Sequence, residues 1–352
     1  MLLFSCRKDV KPITQGTTPY QFDYPDILSQ YLPPIDEPTD NPTTEEGVKL
    51  GRYLFYDKRL SGDGTQACAS CHMPQFSFSD TSAFSLGIDG LEGSRNAMPI
   101  INPGWMENGL FWDGRATSIE DQALKPVVNP VEMHSNWSDV ATTLQSDPDY
   151  PSMFLTVFGS EEIDSIKVVK AIAQFERTLM SGNAPFDKYL MGNMAQGSSG
   201  WSADKELLAY QGFIIFMGSD KGDCFHCHGD QFNPLWTDNK FHNNGLDANA
   251  VDKGLEAYTG DPSDHGKFKT PTLRNLAFTA PYMHDGRFQT LGEVIQQYCF
   301  NVKSSSTVDP LMQYAYQGGV QLNPQEQNAL KWFLLSLSDS SFVTNPDFQD
   351  PW

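Results

Sequence analysis

Positive charge is scarce in this chain. Its 24 Lys and Arg residues face 44 Asp and Glu, for a formal net charge of −20 at pH 7. Phosphate backbones are held by basic faces, so nucleic acid is excluded as a partner. Long apolar runs are missing too: no stretch reaches the roughly 20 residues that a bilayer-spanning helix needs. Few segments alternate apolar and polar residues with period two, which argues against a β architecture and for a mainly α fold. Cysteine is rare, and four of the six lie in two five-residue motifs. The other two, Cys6 and Cys299, are far apart in sequence, and nothing marks them as a disulfide pair.

The two motifs are Cys68-Ala69-Ser70-Cys71-His72 and Cys224-Phe225-His226-Cys227-His228. Each reads C-x-x-C-H, the attachment signal for a c-type haem. Thiols at this spacing reach the two vinyl groups on one porphyrin edge as thioethers. The adjacent His72 or His228 then turns its imidazole onto the iron as proximal ligand. A thioredoxin-like redox pair does not need the histidine, and a zinc ribbon needs its thiolates at closer range. Two full copies imply two covalently attached c-type haems. Covalent attachment takes place outside the cytoplasm, so the protein is expected in the periplasm or otherwise beyond the cytoplasm. Leu3-Phe4-Ser5-Cys6 resembles a lipobox in which Cys6 would carry a lipid anchor, although the charged n-region and most of the apolar h-region are absent. The acidic surface either steers a basic redox partner such as a small cytochrome or keeps an exported protein soluble.

At 352 residues the chain has room for two haem-burying domains. Residues 1–42 read as the lipobox-like segment and an extended tether rich in Pro, Thr and Asp. A helix begins at Thr43, with Glu46 completing a capping box, and runs through Leu50 and Leu54 to Tyr56. The loop Ser61-Gly62-Asp63-Gly64 then leads into the first haem motif. Residues 73–135 are rich in Gly, Pro and Asn, and so long an irregular segment in a compact domain marks function. A helix follows from about Ser165 to Met180, stopped by Gly182. Thus 43–191 is the first haem domain, Gly-rich 192–201 a linker, 202–345 the second haem domain and 346–352 a tail. The second half repeats the first. Ser202 opens its first helix, Thr290 and Glu293 form a capping box, and Asn323-Pro324-Gln325-Glu326 opens its last helix. The expected fold is two tandem cytochrome c-like domains.

Phe111-Trp112-Asp113-Gly114-Arg115, Val131-Glu132-Met133, Thr272-Leu273-Arg274-Asn275 and Pro281-Tyr282-Met283-His284-Asp285-Gly286 join the two haem motifs. With them, residues 43–340 resemble the bacterial dihaem cytochrome c peroxidase/MauG family. The resemblance implies that the first haem is the peroxide site and the second the electron-transfer site. It implies a distal pair, Gln122 and Glu132, ten and twenty residues after Trp112. It also implies that Trp112 relays electrons between the haems. A carboxylate in an apolar haem pocket can take a proton from bound peroxide and return it to the departing oxygen. Gln122 can donate and accept hydrogen bonds there. Arg115 and Arg274 are partners for haem propionates or buried polar structure.

Two departures from the family pattern bear on the subtype. Many members carry a distal histidine sixteen residues after the first proximal one, where this chain has Ile88. The first iron is therefore expected to be open and five-coordinate, with His134 the other nearby candidate ligand. Classical members place a methionine ligand of the second iron fourteen residues after the position of His284; here that residue is Tyr298, as in MauG-type members. A phenolate lowers the iron potential. Met283 and Met312 are the fallback ligands. The resemblance also implies a calcium ion between the domains, held by the side chain of Asn96 and the backbone carbonyls of Thr279 and Pro281, oxygen donors that suit Ca²⁺. Cys299 is expected as a buried free thiol.

The resulting expectation is a cytochrome c peroxidase that reduces hydrogen peroxide with electrons from a small cytochrome c or cupredoxin, with a homodimer a candidate assembly. The alternatives are a MauG-like oxidase that modifies Trp or Tyr of a partner protein through a bis-ferryl state, and a dihaem electron carrier.

Overall fold

The computed structural model describes residues 16–352, so the lipobox-like Cys6 lies outside the described residues. Two helical units follow each other, each built on a crossing of two long helices. In the first unit Glu45–Tyr56 crosses Ser165–Arg177, and in the second Ala203–Met217 crosses Pro324–Ser336. A glycine sits at each crossing. A Cβ on Gly51 would lie 1.9 Å from the Ala171 carbonyl oxygen, and one on Gly212 would lie 2.0 Å from that of Ala329. Leu50, Leu54, Phe55, Ile172 and Phe175 fill the first core, and Phe213, Phe216, Leu330, Phe333 and Leu337 the second. Any side chain at either glycine would part these faces and expose residues whose burial contributes about 1.5–3 kcal/mol each. Among the described residues, no helix is long and apolar enough to cross a membrane.

The second unit repeats the first down to single hydrogen bonds. Asn102 donates its backbone N–H to the Leu179 carbonyl (2.9 Å), and Asn275 donates to that of Leu337 (3.1 Å). The side-chain oxygen of Asn102 accepts from Ser181 N, and that of Asn275 accepts from Asp339 N, both at 2.8 Å. Two turns match as well. Phe111-Trp112-Asp113-Gly114-Arg115 is closed by a bridge between Leu110 and Ala116, and Met283-His284-Asp285-Gly286-Arg287 by one between Tyr282 and Phe288. Both need left-handed backbone, with φ 65° at Phe111 and 74° at Met283, then 70° at Gly114 and 63° at Gly286. The turns meet across the interface of the two units. The Lys269 N–H donates to the Trp112 carbonyl at 2.8 Å, and the Asn96 N–H to the His284 carbonyl at 2.7 Å, as a pseudo-two-fold axis requires.

Several expectations are corrected by the packing. Thr44, not Thr43, caps the first helix, its hydroxyl accepting from Gly47 N at 3.0 Å. Glu46 closes no capping box; its carboxylate accepts from the backbone and hydroxyl of Thr18 and ties down the N-terminal strap. That strap is not extended throughout, because Asp26–Tyr31 is helical and buries Ile27 and Leu28. The Gly-rich 192–201 stretch is not the boundary between the units. Phe186 and Tyr189, in the helix Pro185–Met191 before it, belong to the second core, so it is a turn between two helices of one unit. The Glu206 carboxylate holds that turn by accepting from Gly197 N and Ser199 N. The tail returns: Phe342 and Phe348 pack edge-on against Phe78 in the first core. The chain therefore passes between units near 180–184 and again near 340. Apolar side chains decided both places, while glycine content marked only a turn. The Thr290–Glu293 and Asn323–Glu326 capping boxes form as the sequence predicts.

Candidate active site

Cys68–Cys71 forms a single helical turn, and the His72 N–H donates to the Cys68 carbonyl at 2.9 Å. The His72 Nδ1 bonds the Phe78 carbonyl at 2.8 Å, which leaves Nε2 for a metal. The second motif repeats this: the His228 N–H donates to the Cys224 carbonyl, and Nδ1 lies 3.3 Å from the Trp236 carbonyl. Burial holds the His72 imidazole below its ordinary range and brings that of His228 to about 4, so both are neutral donors. Burial pushes the thiols of Cys68, Cys224 and Cys227 up to about 12 and that of Cys71 up to about 11. A redox C-x-x-C pair instead needs a lowered thiol pKa. Paired protonated thiols beside an oriented neutral histidine fit a covalently held haem in each unit.

On the first unit, Glu132 is half-buried behind the loop that carries Ile88. The Ile88 N–H donates to the Glu132 carbonyl at 2.9 Å. Burial pushes the Glu132 carboxyl above its ordinary range, partly offset by the Asn129 amide and by the charge of Arg115. The Asn129 Nδ2 donates to Glu132 Oε1 at 2.6 Å, and the Asn129 side-chain oxygen accepts from Val131 N. Gln122 lies on the helix Ile119–Val128, half-buried, and its side chain forms no hydrogen bond among the described residues. His134 is turned outward, exposed and paired with Asp89 at 2.5 Å.

The second unit is furnished differently. Tyr298 lies in a π-helical turn, Gln297–Asn301, that continues the helix Leu291–Gln296. Such turns break the regular helix ladder and recur at functional sites. Its hydroxyl accepts from Asn244 Nδ2 at 2.8 Å, and Met283 Sδ lies 4.0 Å from the same nitrogen. Burial pushes the Tyr298 phenol up to about 12, partly offset by the Asn244 bond. The next residue, Cys299, lies in the core against which Cys224 and Phe225 of the second motif pack. Met312 lies in a loop after Asp309. Cys299 is a buried free thiol, 1 % exposed.

Between the units, Trp112 is 7 % exposed, and its indole N–H donates to the Asn96 carbonyl at 2.9 Å. Its ring meets His284 edge to face, centroids 6.4 Å apart. His284 in turn stacks on Phe268 at 3.7 Å. Arg95 ties the seam together by pairing with Asp113 of the first unit and, through two nitrogens, with Asp252 of the second. Arg115 lies over the Phe111 ring at 3.7 Å and pairs with Asp113. Of the two roles expected for Arg274, haem-propionate partner or buried polar structure, its contacts match the second. Its guanidinium is wholly buried and committed to both Asp187 oxygens (2.8 and 3.0 Å) and the Pro234 carbonyl, which makes it a brace of the second unit. The Asn96 side-chain nitrogen donates to the Ser82 carbonyl at 2.9 Å, leaving its oxygen free. Among the described residues, the Thr279 and Pro281 carbonyls accept no hydrogen bond. Each of these three groups offers an oxygen donor of the kind a hard cation takes.

Sequence reasoning missed three residues of this region. Asn129 and Asn244 bond the two candidate functional side chains, and Lys269 is buried against the Trp112 turn. The Asn-Pro step at 129–130 signals only the end of a helix, and no local signal marks the other two.

Residues 45–195 match the model of the di-haem cytochrome c peroxidase family. The methylamine utilization protein MauG of Methylophilus methylotrophus is 35% identical over 264 residues, covering 75% of this chain and 75% of that protein. Cytochrome c551 peroxidase of Nitrosomonas europaea is 34% identical over 264 residues, covering 72% and 73%. Among solved structures, a MauG-like protein associated with microbial copper homeostasis superposes with a TM-score of 0.82 at 35% identity, covering 95% of this chain and 99% of that one.

Proposed function

The chain belongs to the di-haem cytochrome c peroxidase family, which includes the MauG proteins, and is an oxidoreductase of that haem-peroxidase kind; we propose that it reduces hydrogen peroxide to water at the first haem, with electrons from a small cytochrome c or cupredoxin entering by the second. The carrying observation is the asymmetry of the two units: Glu132 and an aliphatic Ile88 on the first, a half-buried Tyr298 on the second. When bound, the haems supply the iron that receives peroxide and the route for two electrons.

This chain's own residues do the rest. His72 and His228 would hold the two haem irons through their free ring nitrogens, and Tyr298 would supply a further oxygen ligand to the second. Glu132, as carboxylate, takes the proton from the near peroxide oxygen and gives it to the far one, which leaves as water. Asn129 aims the carboxylate. Gln122, with no partner of its own, is available to bond the peroxide or the leaving water. The overall balance is one peroxide, two electrons and two protons to two waters. Ile88 keeps a competing ligand away, so no prior reduction is needed to open the site. Trp112 carries electrons across the seam, which Arg95 and a calcium ion on Asn96, Thr279 and Pro281 hold fixed. The setting is outside the cytoplasm.

Tyr298 favours a second reading, in which a MauG-like oxidation of Trp or Tyr on a partner protein replaces turnover with a cytochrome. One experiment separates the two. Stoichiometric peroxide is added to the oxidised, haem-loaded protein, near-infrared absorption is followed, and reduced cytochromes are then added. Rapid cytochrome oxidation is the expected result. A long-lived near-infrared species that ignores cytochromes supports the oxidase, and no reaction with peroxide reduces the protein to an electron carrier.

A further inference from the structure

Lys269 is 2 % exposed, yet among the described residues no carboxylate bonds its ammonium. A buried Lys is normally paired with an acid. This one donates only to two backbone carbonyls, those of Glu107 and Asn239 (the latter at 3.1 Å), with the Phe241 ring 5.5 Å away. Burial pushes it down to about 8, which leaves it a cation at neutral pH.

The pseudo-two-fold axis explains the place. Lys269 stands six residues before Asn275, as Asn96 stands six before Asn102. Their N–H groups make the matched bonds to the carbonyls of Trp112 and His284. Each side chain also bonds the loop that follows its own proximal histidine, Asn96 at the Ser82 carbonyl and Lys269 at the Asn239 carbonyl. Across the seam, Glu107 stands three residues before Leu110, which opens the Trp112 turn. Thr279 stands three before Tyr282, which opens the His284 turn. The carbonyl that accepts from Lys269 is thus the repeat partner of the Thr279 carbonyl.

We propose that the Lys269 ammonium is a built-in cation of the interface, occupying the counterpart of the calcium position and holding the Trp112 turn as the ion holds the His284 turn. This rests on the calcium reading given above. A repeat that kept both junctions cation-bound would need two ions; here one is replaced by a covalently tethered charge that a chelator cannot remove. The backbone of the Trp112 turn therefore keeps its tethered cation when calcium is withdrawn, and the His284 turn does not.

The test uses the haem-loaded full chain, comparing the parent with Lys269→Met and Lys269→Asn by metal analysis and by amide hydrogen exchange of residues 106–116. The parent is expected to hold one calcium, and chelation to loosen residues 279–287 while sparing 106–116. In Lys269→Met, exchange over 106–116 should accelerate about tenfold or more at any calcium concentration, as expected for local opening of a turn that has lost its tether. Lys269→Asn, which copies Asn96, should hold two calcium ions and regain protection as calcium is supplied. A Lys269→Met protein that exchanges like the parent overturns the proposal, and a Lys269→Asn protein that behaves as Lys269→Met throughout overturns the equivalence of the two positions. A parent that binds no calcium sinks the calcium reading and the counterpart claim with it, while the Lys269→Met exchange still decides whether the ammonium holds the turn.

Discussion

Eight residues after the cap Ser118, the first unit carries Pro126 inside the helix Ile119–Val128. Eight residues after the cap Thr290, the second unit carries Tyr298. The two positions correspond in the repeat, and one side chain can reach a metal while the other has nothing to offer it. The same contrast recurs at other matched pairs. Ile101, 1 % exposed, answers to the fully buried Arg274; Trp112 answers to His284, and Asn96 to Lys269. Shared crossings and backbone bonds hold two near-identical frames, while single substitutions place different side chains at matched positions, as the proposed division into an open and a closed haem requires. Duplication of a frame need not duplicate a function, because ligation depends on one side chain and the frame depends on dozens.

The sharpest way to break this contrast is to remove the base. Glu132→Gln should lower peroxide turnover by about 10²–10⁴-fold, with the absorption and EPR signals of the second haem unchanged. A changed second-haem spectrum would show that the units are not separable. Arg274→Leu addresses the frame. Loss of a wholly buried partner leaves Asp187 uncompensated and should cost about 3–5 kcal/mol in denaturant unfolding. The double change Arg274→Leu/Asp187→Leu should recover most of that, since Ile101 serves the first unit without an ion pair.

Ile88→His would make the first unit resemble the second. If the new imidazole ligates the iron nearly all the time, turnover by the oxidised protein should fall about hundredfold, with a low-spin signal replacing the high-spin one. Persistent high-spin EPR would locate the opening elsewhere. Asn129→Ala is milder, about tenfold in kcat/KM, or about 1.4 kcal/mol. Its pH profile carries the diagnostic sign. In the proposed mechanism Glu132 works as a carboxylate, so activity should fall as pH drops through its raised pKa. The Asn129 bond lowers that pKa, and removing it should move the acidic limb to higher pH. A purely structural role would scale the profile without moving it. Asn244→Leu should have the smallest effect on turnover, a few-fold, and show mainly in the near-infrared and EPR signature of the second haem. Tyr298→Phe is the control, and an unchanged spectrum there would remove Tyr298 as a ligand.

The sequence alone determined the chemistry that depends on neighbours in the chain. Cys68, Cys71 and His72 must be adjacent to attach a haem, as must Cys224, Cys227 and His228. Two capping boxes and the mainly helical fold also follow from local spacing. The unlikeness proposed for the two haem sites rests on residues legible in the sequence, Ile88, which cannot ligate iron, and Tyr298, which can. Tertiary structure alone decided which segments share a core, so that Phe186 joined the second unit and Phe342 returned to the first. It also decided that Arg274 is spent on Asp187, that Asn129 and Asn244 bond the residues that matter, and that Lys269 faces the Trp112 turn. Those outcomes depend on contacts between residues far apart in the chain, where burial and hydrogen-bond satisfaction override local composition.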